Sequence, residues 1–174
     1  LAGVCRIADD SEARPLVREE LTDPQVPARL IQYADIVRGA IDKGTGDVLR
    51  TAGFRNSSYW YGLGQKLQFN WDDAPIGWLG VDLPRWRKYE TGPVWLHFGW
   101  RDGQVERVKA SLAAWVSAQG RVLQDTADGV MLHIDLLVER EQAVVIDDVI
   151  AQLRTIGALL RGAATPPAAI EAKP

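Results

Sequence analysis

The 174-residue chain has one cysteine, no long apolar run and no excess of basic residues, and each absence excludes a class of protein. Cys5 has no second thiol with which to form an internal disulfide, so we expect a reducing compartment. No stretch approaches the roughly 20 apolar residues that a membrane-spanning helix needs. No basic segment followed by an apolar one opens the sequence as a signal peptide would. These absences favour a cytoplasmic protein that does not bind membranes.

Basic charge is also scarce, since the net charge is -3 and the pI is about 5.4. A basic surface that covers the whole chain is therefore excluded, although a local patch for nucleic acid is not. The chain begins at Leu1 and its only methionine is Met131. We therefore expect a fragment or a processed product, with any preceding segment hidden from view.

Recognisable catalytic motifs are missing as well. The strong metal ligands Cys5, His97 and His133 fall on three separate elements without a zinc-type spacing, so we expect no metal and no cofactor. Both histidines lie opposite apolar strand faces, where they would face solvent or pack under a helix. Of the lysines, only Lys173 follows an acid, Glu171, at the spacing of a nuclease core, and that pair lies in the tail. No catalytic residue is predicted.

Apolar periodicity predicts both kinds of secondary structure. Helices are expected at Ser11–Leu21, from Asp23-Pro24 to Gly44, from Val105 to near Gly120, and from about Glu141 to Arg161. Strands are expected at Tyr59–Trp71, Ile76–Leu83 and Val94–Trp100, and in a hairpin of Arg121–Thr126 and Val130–Val138. The segment from Pro84 to Gly92 is expected to be a polar connection or a single helical turn.

This order of elements predicts an α+β fold. Short consecutive strands favour antiparallel pairing, so we expect a mainly antiparallel sheet of about five strands with helices packed on one face and N-terminal helices preceding it. Residues 1–162 form a single domain, in which residues 1–44 are a helical lead-in and residues 58–162 carry the sheet and later helices. Residues 163–174 are expected to be a disordered tail.

All seven tryptophans crowd into one third of the chain, with arginines between them. Trp60, Trp78 and Trp95 fall on the strand faces opposite the aliphatic ones. On neighbouring strands they would form an aromatic platform for nucleobases. The alternative is that both faces of the sheet are buried, one of them by a partner or by a missing region. A small-molecule pocket is a third interpretation.

Three aromatic motifs carry a resemblance to a known family. They are Arg55–Gly62, Gly77–Val81 and Pro93–Leu96, preceded by the helical stretch Arg29–Val37. Together they resemble the C-terminal region of bacterial proteins related to the PD-(D/E)XK nuclease superfamily, over about Leu30 to Leu160. The catalytic acids and lysine of that superfamily have no match here and would lie upstream of Leu1.

The resemblance implies an accessory domain of a nuclease-like protein that contacts nucleic acid. A protein-interaction or oligomerisation domain, binding itself or another subunit through the tryptophan-rich face, is the alternative. The candidate contact residues for either partner are Arg55, Trp60, Trp78, Arg85, Arg87 and Trp95.

Overall fold

The structure is a computed structural model that describes residues 25–50, 62–89, 92–99, 104–127 and 129–162. In these ranges the helices are α1 (Gln25–Gly44), α2 (Leu83–Tyr89), α3 (Gln104–Ala118) and α4 (Gln142–Gly162). The strands are β1 (Gly62–Gln68), β2 (Ile76–Asp82), β3 (Val94–Gly99), β4 (Leu123–Thr126) and β5 (Gly129–His133). The predicted first helix at Ser11–Leu21, the start of the first strand at Tyr59 and the tail lie outside the described residues.

The five strands form one sheet in the order β1-β2-β3-β5-β4, and every neighbouring pair is antiparallel. One face carries the aliphatic residues that the alternation predicted, among them the cross-strand row Leu79, Leu96 and Leu132, all fully buried. Apolar residues of α1, α3 and α4 pack on this face and complete the core. The α+β fold with helices on one face of an antiparallel sheet is thus confirmed.

Helices α1 and α4 lie side by side and run in the same direction. A Cβ at Gly39 would meet Ile146, and a Cβ at Gly44 would come within 3.9 Å of Ile150, so the contacts advance together along both helices. An ion pair between Lys43 and Asp147 crosses the same seam at the surface. The N-termini of the two helices therefore lie at the same end of the domain.

The second face of the sheet is buried too. Trp78 pairs across the strands with His97, which pairs with Met131, and Trp95 pairs with His133. All five residues are at most 5% exposed. The two histidines therefore do not face solvent, which corrects one of the two placements expected for them. Burial on both faces matches in part the alternative in which both faces of the sheet are buried, because here the second face is buried within the chain itself and not by a partner.

Two boundaries differ from the prediction for physical reasons. Strand β5 ends at His133 instead of Val138, because the backbone N–H and C=O of Asp135 bond to the side chain of Gln152 on α4 and not to a neighbouring strand. The segment after β2 forms the seven-residue helix α2, longer than the single turn expected. Both differences help to shape the site below.

Candidate binding groove

The structure separates the residues that the sequence singled out. Trp78 and Trp95 lie on one face of the sheet, but they are 4% and 0% exposed, so neither ring offers a surface on which a base can stack. The expected open platform is therefore not formed by these two indoles. Arg85 and Arg87 lie together on α2. Arg55 and Trp60 lie outside the described residues.

Helix α2 begins where it does because of Asp82. The buried carboxylate of Asp82 accepts a hydrogen bond from the backbone N–H of Arg85 at 3.0 Å and caps the helix. Its other oxygen accepts a 2.6 Å bond from the Arg85 guanidinium. Arg85 is thus paired with the residue that caps its helix. Arg87 and the adjacent Lys88 are exposed.

The cap fixes the side of α2 that faces the rest of the protein. Trp86 meets Tyr33 of α1 edge to face, with ring centroids 5.7 Å apart. Tyr89 approaches Trp95 at 5.8 Å between centroids. The two aromatic contacts hold α2 against α1 and β3, and Arg87 and Lys88 remain exposed.

A groove of about 340 Å³ opens beside Trp86, between α1, the start of α4 and the connection that follows β5. Its lining mixes apolar and aromatic residues with polar and charged ones. It is lined by Gln32, Tyr33, Ile36, Trp86, Gly92, Pro93, Leu136, Leu137, Val138, Glu139, Arg140, Gln142 and Val145. We call this the α1–α2–α4 groove.

The rim of the α1–α2–α4 groove exposes apolar side chains. Val138 is 81% exposed and Leu137 is 42% exposed, and the two follow each other in the β5–α4 connection. Glu139 next to them has a φ of 55°, a left-handed conformation that a residue with a side chain rarely adopts. An exposed apolar pair on an irregular backbone beside an aromatic pocket is typical of a recognition surface.

Three backbone or side-chain hydrogen bonds hold the wall of the groove on the sheet side. The indole N–H of Trp95 donates to the Gly92 carbonyl at 3.1 Å, and the Asp82 N–H donates to the Pro93 carbonyl at 2.9 Å. The N–H of Ile134 donates to the Val94 carbonyl at 3.0 Å. Trp95 does not line the groove, but its hydrogen bond holds Gly92, which does.

A polar cluster lies behind this wall. Nδ1 of His133 donates to Asp135 at 3.1 Å, and Arg121 donates to the other oxygen of Asp135 at 2.8 Å. Arg121 also donates to Gln152 of α4 at 2.7 Å. Burial lowers the pKa of His133 below its ordinary value of 6.5, Arg121 lowers it further, and Asp135 opposes both. The net effect favours the neutral form of His133.

Within the described ranges, no group of three or more His, Cys, Asp or Glu residues lies close enough to hold a metal ion. None of the described helices is both long and apolar enough to cross a membrane. Comparison with protein-family models found no match, and comparisons with curated proteins and with solved structures found no significant similarity.

Sequence reasoning missed the main residues of the groove. The sequence places Trp86 in a polar connection or a single helical turn, although Asp82 before Leu83-Pro84 is a recognisable helix start. The sequence also gives no sign that Leu137 and Val138 are exposed in a connection, because the apolar alternation of β5 continues through Val138. The strand ends early because the backbone of Asp135 bonds to the side chain of Gln152 on α4. A local sequence pattern cannot predict such a long-range bond.

Proposed function

We propose that this domain is a non-catalytic binding module whose α1–α2–α4 groove takes a protein segment with an apolar anchor and an acidic flank. The observation that carries the proposal is the exposed pair Leu137 and Val138 beside the pocket of Tyr33 and Trp86. Apolar and aromatic groups of this kind form the energetic centre of protein interfaces.

The shape of the groove supports an apolar anchor. A volume of about 340 Å³ accommodates a large side chain with part of its backbone, at the low end of the range for ligand pockets. The partly exposed Tyr33, Trp86 and Leu136 offer it an apolar surface. Burying such an anchor contributes about 1.5–3 kcal/mol, and the aromatic pair adds shape complementarity.

Charge at the groove supports an acidic flank. Arg87 and Lys88 follow Trp86 and are exposed, and Arg140 is among the residues that line the groove. Glu139, which also lines it, and the nearby Glu141 oppose them. Because α2 contributes cations only, an acidic residue of the partner has its most favourable position over α2.

The experiment that tests the proposal is selection from a displayed random-peptide library, followed by fluorescence anisotropy with the selected peptide. We expect selected sequences to combine an aliphatic or aromatic residue with acidic neighbours. Val138→Glu should weaken binding at least tenfold, which corresponds to about 1.4 kcal/mol. Selection of no sequence above background would contradict the proposal.

Val144→Glu is the matched control. Val144 is a second exposed valine, 46% exposed on α4, and it does not line the groove. The same substitution at this position changes charge and polarity equally and should leave peptide affinity unchanged. An equal loss in both variants would show that binding depends on net charge and not on the groove.

A second candidate function is contact with nucleic acid, as the resemblance to nuclease-related bacterial proteins implies. The observation that favours it is the exposed pair Arg87 and Lys88 beside the partly exposed ring of Trp86. In that case the domain would be an accessory module of a cytoplasmic nuclease-like protein. Labelled single-stranded DNA would then bind with an affinity that falls steeply with salt and is lost in Arg87→Glu, but not in Val138→Glu.

A further inference from the structure

His133 stands directly behind the wall of the α1–α2–α4 groove. Its side chain is 6% exposed, and its Nε2 atom has no hydrogen-bond partner among the described residues. What Nε2 meets instead is Gly92, where a Cβ would lie only 2.6 Å away. Gly92 lines the groove and His133 does not, so the imidazole touches the groove through this one glycine.

The other contacts of the imidazole among the described residues are with Trp95 and with the Asp135–Arg121 pair. Trp95 covers one side of the imidazole, with ring centroids 5.3 Å apart, and Tyr89 of α2 lies beyond it. On the Nδ1 side the charged groups are Asp135 and, through it, Arg121. On α4, Gln152 donates a hydrogen bond to Asp148 and accepts one from Arg121. In this network Asp148 is therefore connected to His133 only indirectly. Of the described neighbours, Gly92 is the one that faces Nε2.

We propose that His133 is a proton-dependent switch of the groove: when Nε2 takes up a proton, Gly92 is displaced from the imidazole toward the groove and narrows it. A buried N–H without an acceptor costs about 1–3 kcal/mol, so the charged ring must gain a water or carbonyl partner. The wall segment Gly92–Pro93 is where space for that partner opens.

The direction of the effect follows from linkage. A partner that needs Gly92 in its packed position binds the protein with neutral His133 better than the protonated form. Protonation occurs at a pH below the ordinary histidine value of 6.5, because burial lowers the pKa of His133. The groove is therefore open at neutral pH and narrows as the pH falls below the ordinary histidine value. This inference rests on the proposed function in one respect: the switch changes the shape of the same α1–α2–α4 groove.

The test is an NMR titration of the free protein from about pH 7.5 to about pH 5, a range that spans histidine but stays above the usual carboxylate pKa values. The chain has two histidines. The imidazole signals that are missing from the spectrum of His133→Gln therefore belong to His133. We expect the Gly92 amide and the Val138 methyls to shift with the same midpoint as His133. These shifts should be lost in His133→Gln.

Gly92→Ala provides an independent arm, since its methyl would occupy the space at Nε2 at every pH. Its Val138 signals at neutral pH should match those of the wild type in acid. The proposal is overturned if Gly92 and Val138 stay fixed while His133 titrates, or if they move equally in His133→Gln. No partner takes part in the titration, so its failure leaves the peptide-binding proposal standing, and a failed peptide selection leaves the switch standing.

Discussion

Single glycines decide how the second face of the sheet packs. Gly64 of β1 and Gly80 of β2 are cross-strand partners, and the ring of Trp78 lies over both of them. A Cβ on Gly80 would overlap that ring and lie 2.7 Å from the Cα of Gly64. We expect Gly80→Ala to lower the free energy of unfolding by about 1–3 kcal/mol, the usual cost of overpacking, as measured by urea denaturation.

Gly162→Ala is the control for this prediction. A Cβ at Gly162 has nothing within 4 Å, so the substitution should be neutral or slightly stabilising. A loss at Gly80 no larger than at Gly162 would mean that Trp78 has another position open to it. The sequence indicates a close neighbour at Gly64, because a glycine inside a strand often marks one. It does not identify that neighbour as the Trp78 ring, since the contact depends on the register of two strands.

At the scale of elements, α2 depends on one cap. A helix of seven residues is too short to be stable alone, so it relies on Asp82 and on the contacts of Trp86 and Tyr89. Asp82→Ala removes both the cap and the partner of Arg85 and should cost about 1–2 kcal/mol. Asp82→Asn keeps an oxygen for the cap and loses only the charge, so it should cost less. Urea denaturation measures both costs, and amide exchange in α2 should rise in the same order.

Equal effects of the two Asp82 variants would show that the ion pair with Arg85, and not the cap, holds the helix. The elements themselves could be predicted where the pattern is local and complete. Strand β3 follows from the alternation of Val94, Leu96 and Phe98, which are all buried. The end of β5 could not be predicted in this way, because it is set by Gln152, whose α4 position meets Asp135 only after the chain has folded.

At the scale of the whole molecule, both faces of the described sheet carry buried residues. The aliphatic pattern predicted the face that carries α1, α3 and α4, and that face is as expected. The same pattern could not decide whether the tryptophan side is open, because a strand buried on both sides and a strand with an exposed aromatic face share the same alternation. The burial of Trp95 and Met131 favours the first case.

Stability measurements on the two faces separate these cases. Trp95 and Leu96 are adjacent on β3, point to opposite faces and are both fully buried. If both faces are core, Trp95→Ala should lower the free energy of unfolding by about 3–5 kcal/mol and Leu96→Ala by about 2–5 kcal/mol. Leu63→Ala on edge strand β1, where the side chain is 45% exposed, should cost about 1 kcal/mol or less.

A cost at Trp95 as small as that at Leu63 would mean that the tryptophan side is loosely packed and can open to a partner. Trp95→Phe refines the result, because it keeps an aromatic ring and removes the N–H that bonds to the Gly92 carbonyl. This variant should lose about 1 kcal/mol in stability from that hydrogen bond, apart from any effect of ring size. It should also loosen Gly92, so peptide affinity at neutral pH should fall even though Trp95 does not line the groove.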